Sequence, residues 1–270
     1  MSSNNTKAKW FLYPVPQSRA HVRLFCFPYA GGGTGMFRSW VKTLPNFIEI
    51  CTAQLPGRDA RISEPPYDRL TTMVEAISEA IEPHLDKPFA FFGHSMGAMI
   101  AINLAWVLRR KWKKEPMHLF VSGRRAPQMP RTREFTYNLP EAEFIEELRR
   151  LNGTPPAVLA NPELMQLMIP LLRADFSVCQ TYEYVPEPPL LCPITVFGGL
   201  EDETTREELD AWREQTSSTC TVRMAPGNHF FLHSTQPQIL RIVEQELSRV
   251  RMNDATGPAI DKTQSYGSDR

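Results

Sequence analysis

The sequence lacks a surplus of either charge, and it lacks long apolar runs. Its 270 residues include 30 Lys+Arg and 30 Asp+Glu, so the formal net charge is zero. Neutralising phosphates requires a surplus of basic residues, so this balance argues against a nucleic-acid partner and against attraction to anionic lipid by charge alone. No apolar run approaches the ~20 residues of a membrane-spanning helix. The opening segment MSSNNTKAKW has no apolar core of the kind found in signal peptides.

Cysteines are few and scattered. The sequence contains five of them, with no CxxC pair and no spacing typical of a metal site. Cys26, Cys192 and Cys220 lie in or beside strand-like runs, which favours small buried side chains in a reducing compartment. We therefore expect a cytoplasmic protein that binds no metal, no membrane and no nucleic acid.

The composition is that of a folded domain with short polar ends. About 42% of the residues are hydrophobic and 22% are charged, which supplies enough apolar material for a sizeable core. Residues 1–9 and 253–270 are polar and aperiodic, so we expect disordered tails there. Because no repeat or linker divides the remainder, residues 10–252 are predicted to form a single domain.

Short apolar runs alternate with helical patterns between these tails. Segments 72–85 and 237–250 place apolar residues on one face at helical spacing, and segment 97–110 is a helix candidate rich in Ala, Met, Ile and Leu. Thr72 with Glu75 predicts a capping box for the first of these helices. Largely apolar strands separated by helices are typical of an α/β fold, a mostly parallel sheet with helices on both faces. Six runs are predicted to be strands: Val22 to Phe27, Phe47 to Gln54, Phe89 to Phe92, Leu119 to Ser122, Ile194 to Phe197 and Thr221 to Met224.

The interval between the fourth and fifth predicted strands is too long for a single crossover, at about 70 residues. Helical patterns occur at 141–151 and after Asn161, which is the expected N-cap, with Pro162 as the first helical residue. Pro170 is expected to interrupt this second helix. A helical insertion at the edge of a parallel sheet predicts a substrate lid, which we place at about residues 128–190.

The strongest catalytic signal is Gly93-His94-Ser95-Met96-Gly97. It follows the strand FAFF and precedes the helix AMIAINLAWVLRR, which is the context of a G-x-S-x-G nucleophile elbow. The serine of such an elbow occupies a strained turn, so the residues two positions away on each side must be small. The helix N-terminus behind it favours the negative charge that develops during acyl transfer. Ser95 is therefore the predicted nucleophile.

A serine nucleophile needs a base and an acid, which follow it in the chain in the order acid, then histidine. His229 lies in the loop PGNHFF between the last strand and the last helix, where the base belongs, and His233 is the reserve candidate. The acid is expected after the penultimate strand, where Asp202 is preferred because a Gly-Gly turn leaves it at the loop tip. Glu201 in that loop and Asp175 in the insertion are alternatives.

The oxyanion of an acyl-transfer intermediate needs two N–H donors. One is expected from Met96, directly after the nucleophile. The other is expected from the segment YAGGG after the first predicted strand, where Ala30 is our choice. A glycine run can instead cradle a phosphate, but the Lys-Ser/Thr of a P-loop and the G-x-G-x-x-G frame of a dinucleotide site are both absent. We therefore expect no bound cofactor.

The chain resembles the type II thioesterases in six ordered motifs: FCFPYAGGG, QLPGR, FFGHSMGA, HLFVSGRRAP, the GG-x-x-D loop and PGNHFFL. These enzymes are stand-alone α/β-hydrolases that serve nonribosomal peptide and polyketide synthases, and a related member serves animal fatty acid synthase. The resemblance extends from about Val22 to Leu247. It implies an α/β-hydrolase fold in which Ser95, Asp202 and His229 form the triad, with the oxyanion donors given above.

The resemblance also implies a substrate and a partner. Members of the family hydrolyse acyl groups held as thioesters on the 4′-phosphopantetheine arm of acyl or peptidyl carrier domains, and so clear misloaded or stalled synthases. Arg124 and Arg125, after the fourth strand, are candidates for binding the phosphate of that arm or the carrier surface. An ion pair with the acidic segment 141–147 is the alternative. Arg58, in the loop LPGR, is a further candidate, and a monomer is expected.

Several apolar residues of the insertion suit an apolar acyl group. Ordinary packing of the lid on the core is the alternative for each of them. They are Leu164, Met165, Leu167, Met168, Leu171 and Phe176.

Two other functions remain open. A carboxylester hydrolase or an acyltransferase would use the same triad, and a non-catalytic carrier-binding module would keep only the fold. The intact triad weighs against the last of these.

Overall fold

A computed structural model describes residues 10–131 and 134–255. The strands there form one sheet in the order β1-β3-β2-β4-β5-β6-β7, parallel throughout except that β1 is antiparallel to β3. All six predicted strands are present. The strand that sequence reasoning missed is β1, because two residues are too few to show a period. The strands are β1 (Phe11–Leu12), β2 (Val22–Phe27), β3 (Ile48–Ala53), β4 (Phe89–His94), β5 (Leu119–Ser122), β6 (Ile194–Gly199) and β7 (Cys220–Ala225).

Helices cover both faces of the sheet, as the apolar strands predicted. Successive strand residues point to opposite faces. Phe91 of β4 therefore packs with α1 and α2, whereas Phe92 packs with α8. The α-helices are α1 (Leu70–Ile81), α2 (Met96–Trp112), α3 (Glu141–Leu151), α4 (Pro156–Leu159), α5 (Pro162–Gln180), α6 (Arg206–Asp210), α7 (Phe231–Ser234) and α8 (Gln236–Ala255).

The helix termini differ from expectation at two places. Helix α1 begins at Leu70, so Thr72 lies inside the first turn, where its hydroxyl donates to the Arg69 carbonyl at 3.1 Å. The predicted capping box is therefore wrong. Helix α8 continues to Ala255, three residues into the segment for which we expected no regular structure. The disorder expected for 1–9 and for the rest of the tail concerns residues outside the described ranges.

Helices α3, α4 and α5 form the insertion between β5 and β6. The predicted cap is confirmed, because Oδ1 of Asn161 accepts from the N–H groups of the second and third helical residues at 3.1 Å. The predicted interruption at Pro170 is wrong, since α5 continues through it. A proline removes one helical hydrogen bond, and here the flanking Ile169 and Leu172 stay buried against α3. No helix in the described part of the chain is long and apolar enough to cross a bilayer.

His118, directly before β5, is buried with one ring nitrogen unpartnered. Its ring stacks on Phe120 with 4.1 Å between centroids, and its Nε2 lies 2.9 Å from Oγ1 of Thr195. Its Nδ1 has no hydrogen-bond partner within the described residues. Burial lowers the pKa of His118 from 6.5 to about 3, so the folded protein holds this ring neutral at neutral pH.

His118 is expected to make the fold less stable below neutral pH. Between its unfolded pKa of 6.5 and its folded pKa of about 3, the unfolded chain binds a proton that the folded chain excludes. The free energy of unfolding therefore falls as the pH falls, by about 2 kcal/mol between pH 7 and 5 from this residue. His118→Gln should remove this contribution to the pH-dependent fall in the free energy of unfolding, which urea unfolding at pH 7 and pH 5 measures. Exposed His21→Gln is the control, and equal losses for wild type and H118Q would contradict the prediction.

Candidate active site

Ser95 lies in a strained turn between β4 and α2. Its φ of 54° and ψ of −111° fall outside the regions that L-residues ordinarily adopt. Close backbone packing enforces the turn. A Cβ added to Gly93 would lie 2.1 Å from the carbonyl oxygen of Gly97, and one added to Gly97 would lie 2.1 Å from that of Phe27. The two glycines of the predicted elbow are thus required by contact, and the surrounding backbone holds the strain.

The predicted nucleophile, base and acid meet at the C-terminal edge of the sheet. Nε2 of His229 lies 2.9 Å from Oγ of Ser95, and Nδ1 of His229 lies 3.0 Å from Oδ2 of Asp202. The Asp202 side chain is 4% exposed and that of His229 is 32% exposed. A buried carboxylate that accepts the Nδ1–H leaves the lone pair of Nε2 directed at the serine hydroxyl.

The rival candidates in the same loops are placed differently. Glu201 is exposed, and its backbone N–H donates at 3.0 Å to a carbonyl of the loop that carries His229. Nε2 of His233 lies 3.2 Å from the Tyr29 hydroxyl. The geometry therefore favours Asp202 over Glu201 as the acid, and His229 over His233 as the base.

Asp175 and Arg58 form a buried ion pair with each other. Nη1 and Nη2 of Arg58 donate to the two carboxylate oxygens of Asp175, each at 2.7 Å. The two side chains are 5% and 0% exposed. This pairing removes Asp175 from consideration as the triad acid. The same burial disfavours Arg58 as a candidate contact for the substrate or the carrier, because its guanidinium is enclosed in this pair.

The segment after β2 forms a tight turn at the rim of the active-site cavity. The N–H of Gly32 donates to the Tyr29 carbonyl at 2.9 Å, and the φ of Gly31 is +76°. These are the features of a type II turn with glycine at its third position. Ala30 occupies the second position and lines the same cavity as Ser95. Met96 is the first residue of α2, where an N–H has no acceptor within the helix.

Ser95 and His229 line a cavity of about 670 Å³. The loops after β5 and β6 supply polar walls, and the insertion supplies both polar and apolar side chains. The large apolar side chains of the insertion that reach this cavity include Leu148, Leu151, Met168, Leu172 and Phe176.

The acyl-contact residues expected from the insertion divide into three groups. Met168 and Phe176 line the cavity, and Met165 and Leu171 are buried in side-chain packing. Leu164 and Leu167 are 42% and 59% exposed. Leu172, which sequence reasoning missed, is part of the wall. Helical spacing shows which residues share a face, but only docking of α5 on the sheet decides which face meets the cavity.

Arg124 and Arg125 line the cavity together with Ser95. Nη1 of Arg125 lies 4.0 Å from the Glu208 carboxylate, which is outside the acidic segment 141–147. Within that segment, Glu147 binds Arg150 at 2.7 Å. The predicted cationic group is therefore present at the cavity, next to acidic side chains on the wall that carries α6.

His94 is a buried neutral histidine behind the triad. Its Nδ1 lies 2.9 Å from Oγ of Ser122, and its ring centroid lies 5.3 Å from that of His229. Burial, reinforced by the charge of the neighbouring His229, holds the pKa of His94 well below its ordinary value. A neutral ring at this position adds no positive charge behind the triad.

The chain is similar to known thioesterases over most of its length. Residues 22–247 match the family described as "Thioesterase domain". The gramicidin S biosynthesis protein GrsT of Aneurinibacillus migulanus is 48% identical over 243 residues, which cover 90% of this chain and 95% of GrsT. The medium-chain S-acyl fatty acid synthase thioesterase of Rattus norvegicus is 35% identical, covering 86% of this chain and 88% of that protein.

A solved structure gives the same result for the fold. RedJ, a thioesterase from the prodiginine pathway of Streptomyces coelicolor, superposes with a TM-score of 0.81 at 40% identity, covering 86% of this chain and 92% of RedJ. These findings confirm the predicted resemblance to thioesterases and the predicted α/β-hydrolase fold.

Adding a methyl group at Gly97 is expected to disrupt the elbow. The new Cβ would lie 2.1 Å from the Phe27 carbonyl oxygen, whereas one at exposed Gly35 would meet nothing within 4 Å. Gly97→Ala should lower the free energy of unfolding by at least about 2 kcal/mol, because backbone cannot yield as a side chain does. Gly35→Ala, the matched control, should change it by less than about 0.5 kcal/mol. Urea unfolding measures both, and equal stability of the two variants would refute the explanation of the elbow.

Proposed function

The chain belongs to the thioesterase family, and from this membership we propose that it hydrolyses acyl thioesters through an acyl-enzyme on Ser95. In this proposal Asp202 is the acid, His229 is the base, and the N–H groups of Ala30 and Met96 form the oxyanion hole. The observation that carries it is the chain of two hydrogen bonds, 2.9 Å and 3.0 Å, that runs from Oγ of the serine through the imidazole to a buried carboxylate.

Acylation begins when Oγ of Ser95 attacks the thioester carbonyl and Nε2 of His229 takes the hydroxyl proton. The oxyanion that forms accepts hydrogen bonds from the N–H groups of Ala30 and Met96, at the N-terminus of α2. Asp202 stabilises the imidazolium and keeps the ring in one tautomer. The C–S bond then breaks, and the thiolate leaves as a thiol with the proton from His229.

Deacylation repeats these steps with water as the nucleophile. His229 takes a proton from the water as it attacks the acyl-serine carbonyl, and returns that proton to Oγ of Ser95 as the ester bond breaks. The carboxylic acid leaves and the enzyme is regenerated. Side chains, backbone N–H groups and water suffice for both halves of the reaction, so the mechanism includes no cofactor of the chain itself.

We propose that the thioester is carried on the 4′-phosphopantetheine arm of an acyl or peptidyl carrier domain in a nonribosomal peptide, polyketide or fatty acid synthase. The names of the relatives support this class, since they belong to gramicidin S synthesis, prodiginine synthesis and fatty acid synthesis. Removal of misloaded or stalled acyl groups is the proposed role. The cavity of about 670 Å³, with its apolar wall from α5, supports an acyl chain as the bound group.

In the same proposal, residues 10–252 act as one domain and about 128–190 act as its lid. Helices α3 and α5 pack on each other and present one wall to the cavity. This supports an insertion that covers the substrate.

The five cysteines form no disulfide with one another, which supports the proposed cytoplasmic location. The proposed oligomeric state is a monomer.

Ser95→Ala removes the nucleophile, so this variant is expected to have no turnover of an acyl-carrier thioester. Asp202→Asn should lower kcat by about 10⁴-fold, because the amide holds the imidazole in the wrong tautomer. Glu201→Gln is the matched control, and its exposed side chain should change kcat by less than about threefold. Thiol release measured with a colorimetric reagent gives all three rates.

Other outcomes of this assay would assign another function. Undiminished turnover by S95A, or a larger loss in E201Q than in D202N, would overturn the proposed roles. A preference for matched oxyesters would indicate a carboxylester hydrolase, and transfer to an added alcohol or amine would indicate an acyltransferase. Failure of the wild type to turn over substrate or react with a fluorophosphonate would indicate a carrier-binding module.

Arg124 and Arg125 are the proposed contacts for the phosphate of the arm or for the carrier surface, because both line the cavity that holds Ser95. Arg124→Gln and Arg125→Gln should each raise KM for an acyl-carrier thioester about tenfold, since a hydrogen bond to a charged group contributes ~1.5 kcal/mol. An acyl-N-acetylcysteamine thioester has no phosphate or carrier, so its KM should not change. Arg206→Gln, on exposed α6, is the control, and equal effects on both substrates would contradict the assignment.

A further inference from the structure

We propose that the buried Arg58–Asp175 pair is a positioning device that holds the turn carrying the Ala30 N–H and couples this turn to helix α5. The inference rests on the proposed function, since it concerns how the proposed oxyanion hole is built. It gives a role to two residues that the sequence offered only as candidates, Arg58 for a substrate or carrier contact and Asp175 as an alternative acid.

Each member of the pair binds the backbone of the turn as well as its partner. The N–H of Gly31 donates to Oδ2 of Asp175 at 2.7 Å, and Nη1 of Arg58 donates to the Gly32 carbonyl at 3.1 Å. The same Oδ2 also accepts from Nη1 of Arg58 at 2.7 Å. One carboxylate and one guanidinium thus fix two successive residues of the turn.

These contacts determine where the neighbouring N–H points. A peptide unit is planar, so the Tyr29 carbonyl and the Ala30 N–H share one plane. The Gly32 N–H fixes that carbonyl at 2.9 Å, and the ion pair fixes Gly31 and Gly32 in turn. The orientation of the proposed oxyanion donor therefore depends on a chain of hydrogen bonds that ends on Asp175.

Helix α5 meets the turn at a second point. A Cβ on Gly31 would lie 2.6 Å from Cδ2 of Leu172, and residues three apart on a helix share a face, so Leu172 and Asp175 press on the turn together. The same helix contributes Met168 and Phe176 to the cavity wall. The helix that would contact the acyl chain is thus the helix that holds the oxyanion turn.

The pair has a plain structural alternative, which is that it only stabilises the fold. Burying two charges carries a desolvation cost, and replacing such a pair by apolar side chains of similar volume is often neutral or stabilising. Stability alone therefore gives little reason for a buried pair at this place. Misplacing a catalytic group by about 1 Å can cost 10²-fold in rate, which makes position the quantity to test.

Asp175→Asn keeps the shape of the side chain and removes its charge. We expect kcat for an acyl thioester to fall about 10- to 100-fold while KM changes less than about threefold, because an oxyanion donor acts on the transition state. The affinity for an alkylboronic acid, which forms a tetrahedral adduct on Ser95, should fall by a similar factor. Rates are taken per active site, counted by fluorophosphonate labelling run to completion. A purely structural role would leave both per-site values unchanged.

Two further variants keep the test independent of folding. Arg58→Met/Asp175→Leu removes both charges together, and Arg58→Lys keeps the charge but not the fork that binds both carboxylate oxygens. Both should remain folded by circular dichroism and still show the loss of kcat and of boronate affinity. The proposal is overturned if D175N and at least one of these two variants keep both the wild-type kcat and the wild-type boronate affinity.

A second buried ion pair supplies the matched control. Arg23 binds Glu49 at 2.9 Å with side chains 8% and 6% exposed, and both residues lie at the opposite ends of β2 and β3 from the turn. Glu49→Gln should lower stability without changing kcat per active site. If it lowers kcat as much as Asp175→Asn, loss of any buried pair is the cause and the proposal fails.

The experiment separates this inference from the proposed function. Absence of acyl-carrier hydrolysis by the wild type would defeat the proposed function alone. The boronate affinities need only Ser95 and its oxyanion donors, so they would still decide whether Asp175 positions the turn.

Discussion

The candidate active site at the C-terminal edge of the sheet depends on close backbone packing, in which the start of α2 approaches β4 and β2. A side chain on Gly93 or Gly97 would occupy space that the facing main chain already fills. This contact forces Ser95 into a left-handed φ of 54° and turns the helix N-terminus toward the nucleophile, where it favours a developing negative charge. The strain is held because sheet and helix are both buried.

Around that contact, the parallel sheet collects residues that are far apart in the chain. Loops after β4, β6 and β7 supply Ser95, Asp202 and His229, and the turn after β2 supplies Ala30. Parallel strands all end at the same edge, so each loop can change without disturbing the core. Burial differs among these side chains: Asp202 is shielded, His229 is partly open to the cavity, and His94 stays neutral behind them.

Helix α5 connects the cavity wall to the turn that carries the proposed oxyanion donor. Its Met168 and Phe176 face the cavity, and its Asp175 reaches the turn after β2 through a buried pair with Arg58. An overall charge of zero conceals such local arrangements. The buried Arg58–Asp175 pair lies in a low dielectric, where two charges can orient the backbone groups that they bind.

The sequence by itself determined the parallel α/β sheet, the elbow at Ser95, and the candidates Asp202 and His229, because apolar runs and turn residues act locally and the loop order follows the strand order. It left Glu201 beside Asp202, offered Arg58 as one candidate contact for the substrate or the carrier, and missed Leu172 as a cavity residue. Only the tertiary structure decided these points. Which side chain is buried, which nitrogen meets which oxygen, and which helix face meets the cavity depend on contacts between segments that are distant in the chain. The separations range from the 27 residues between Asp202 and His229 to the 117 between Arg58 and Asp175.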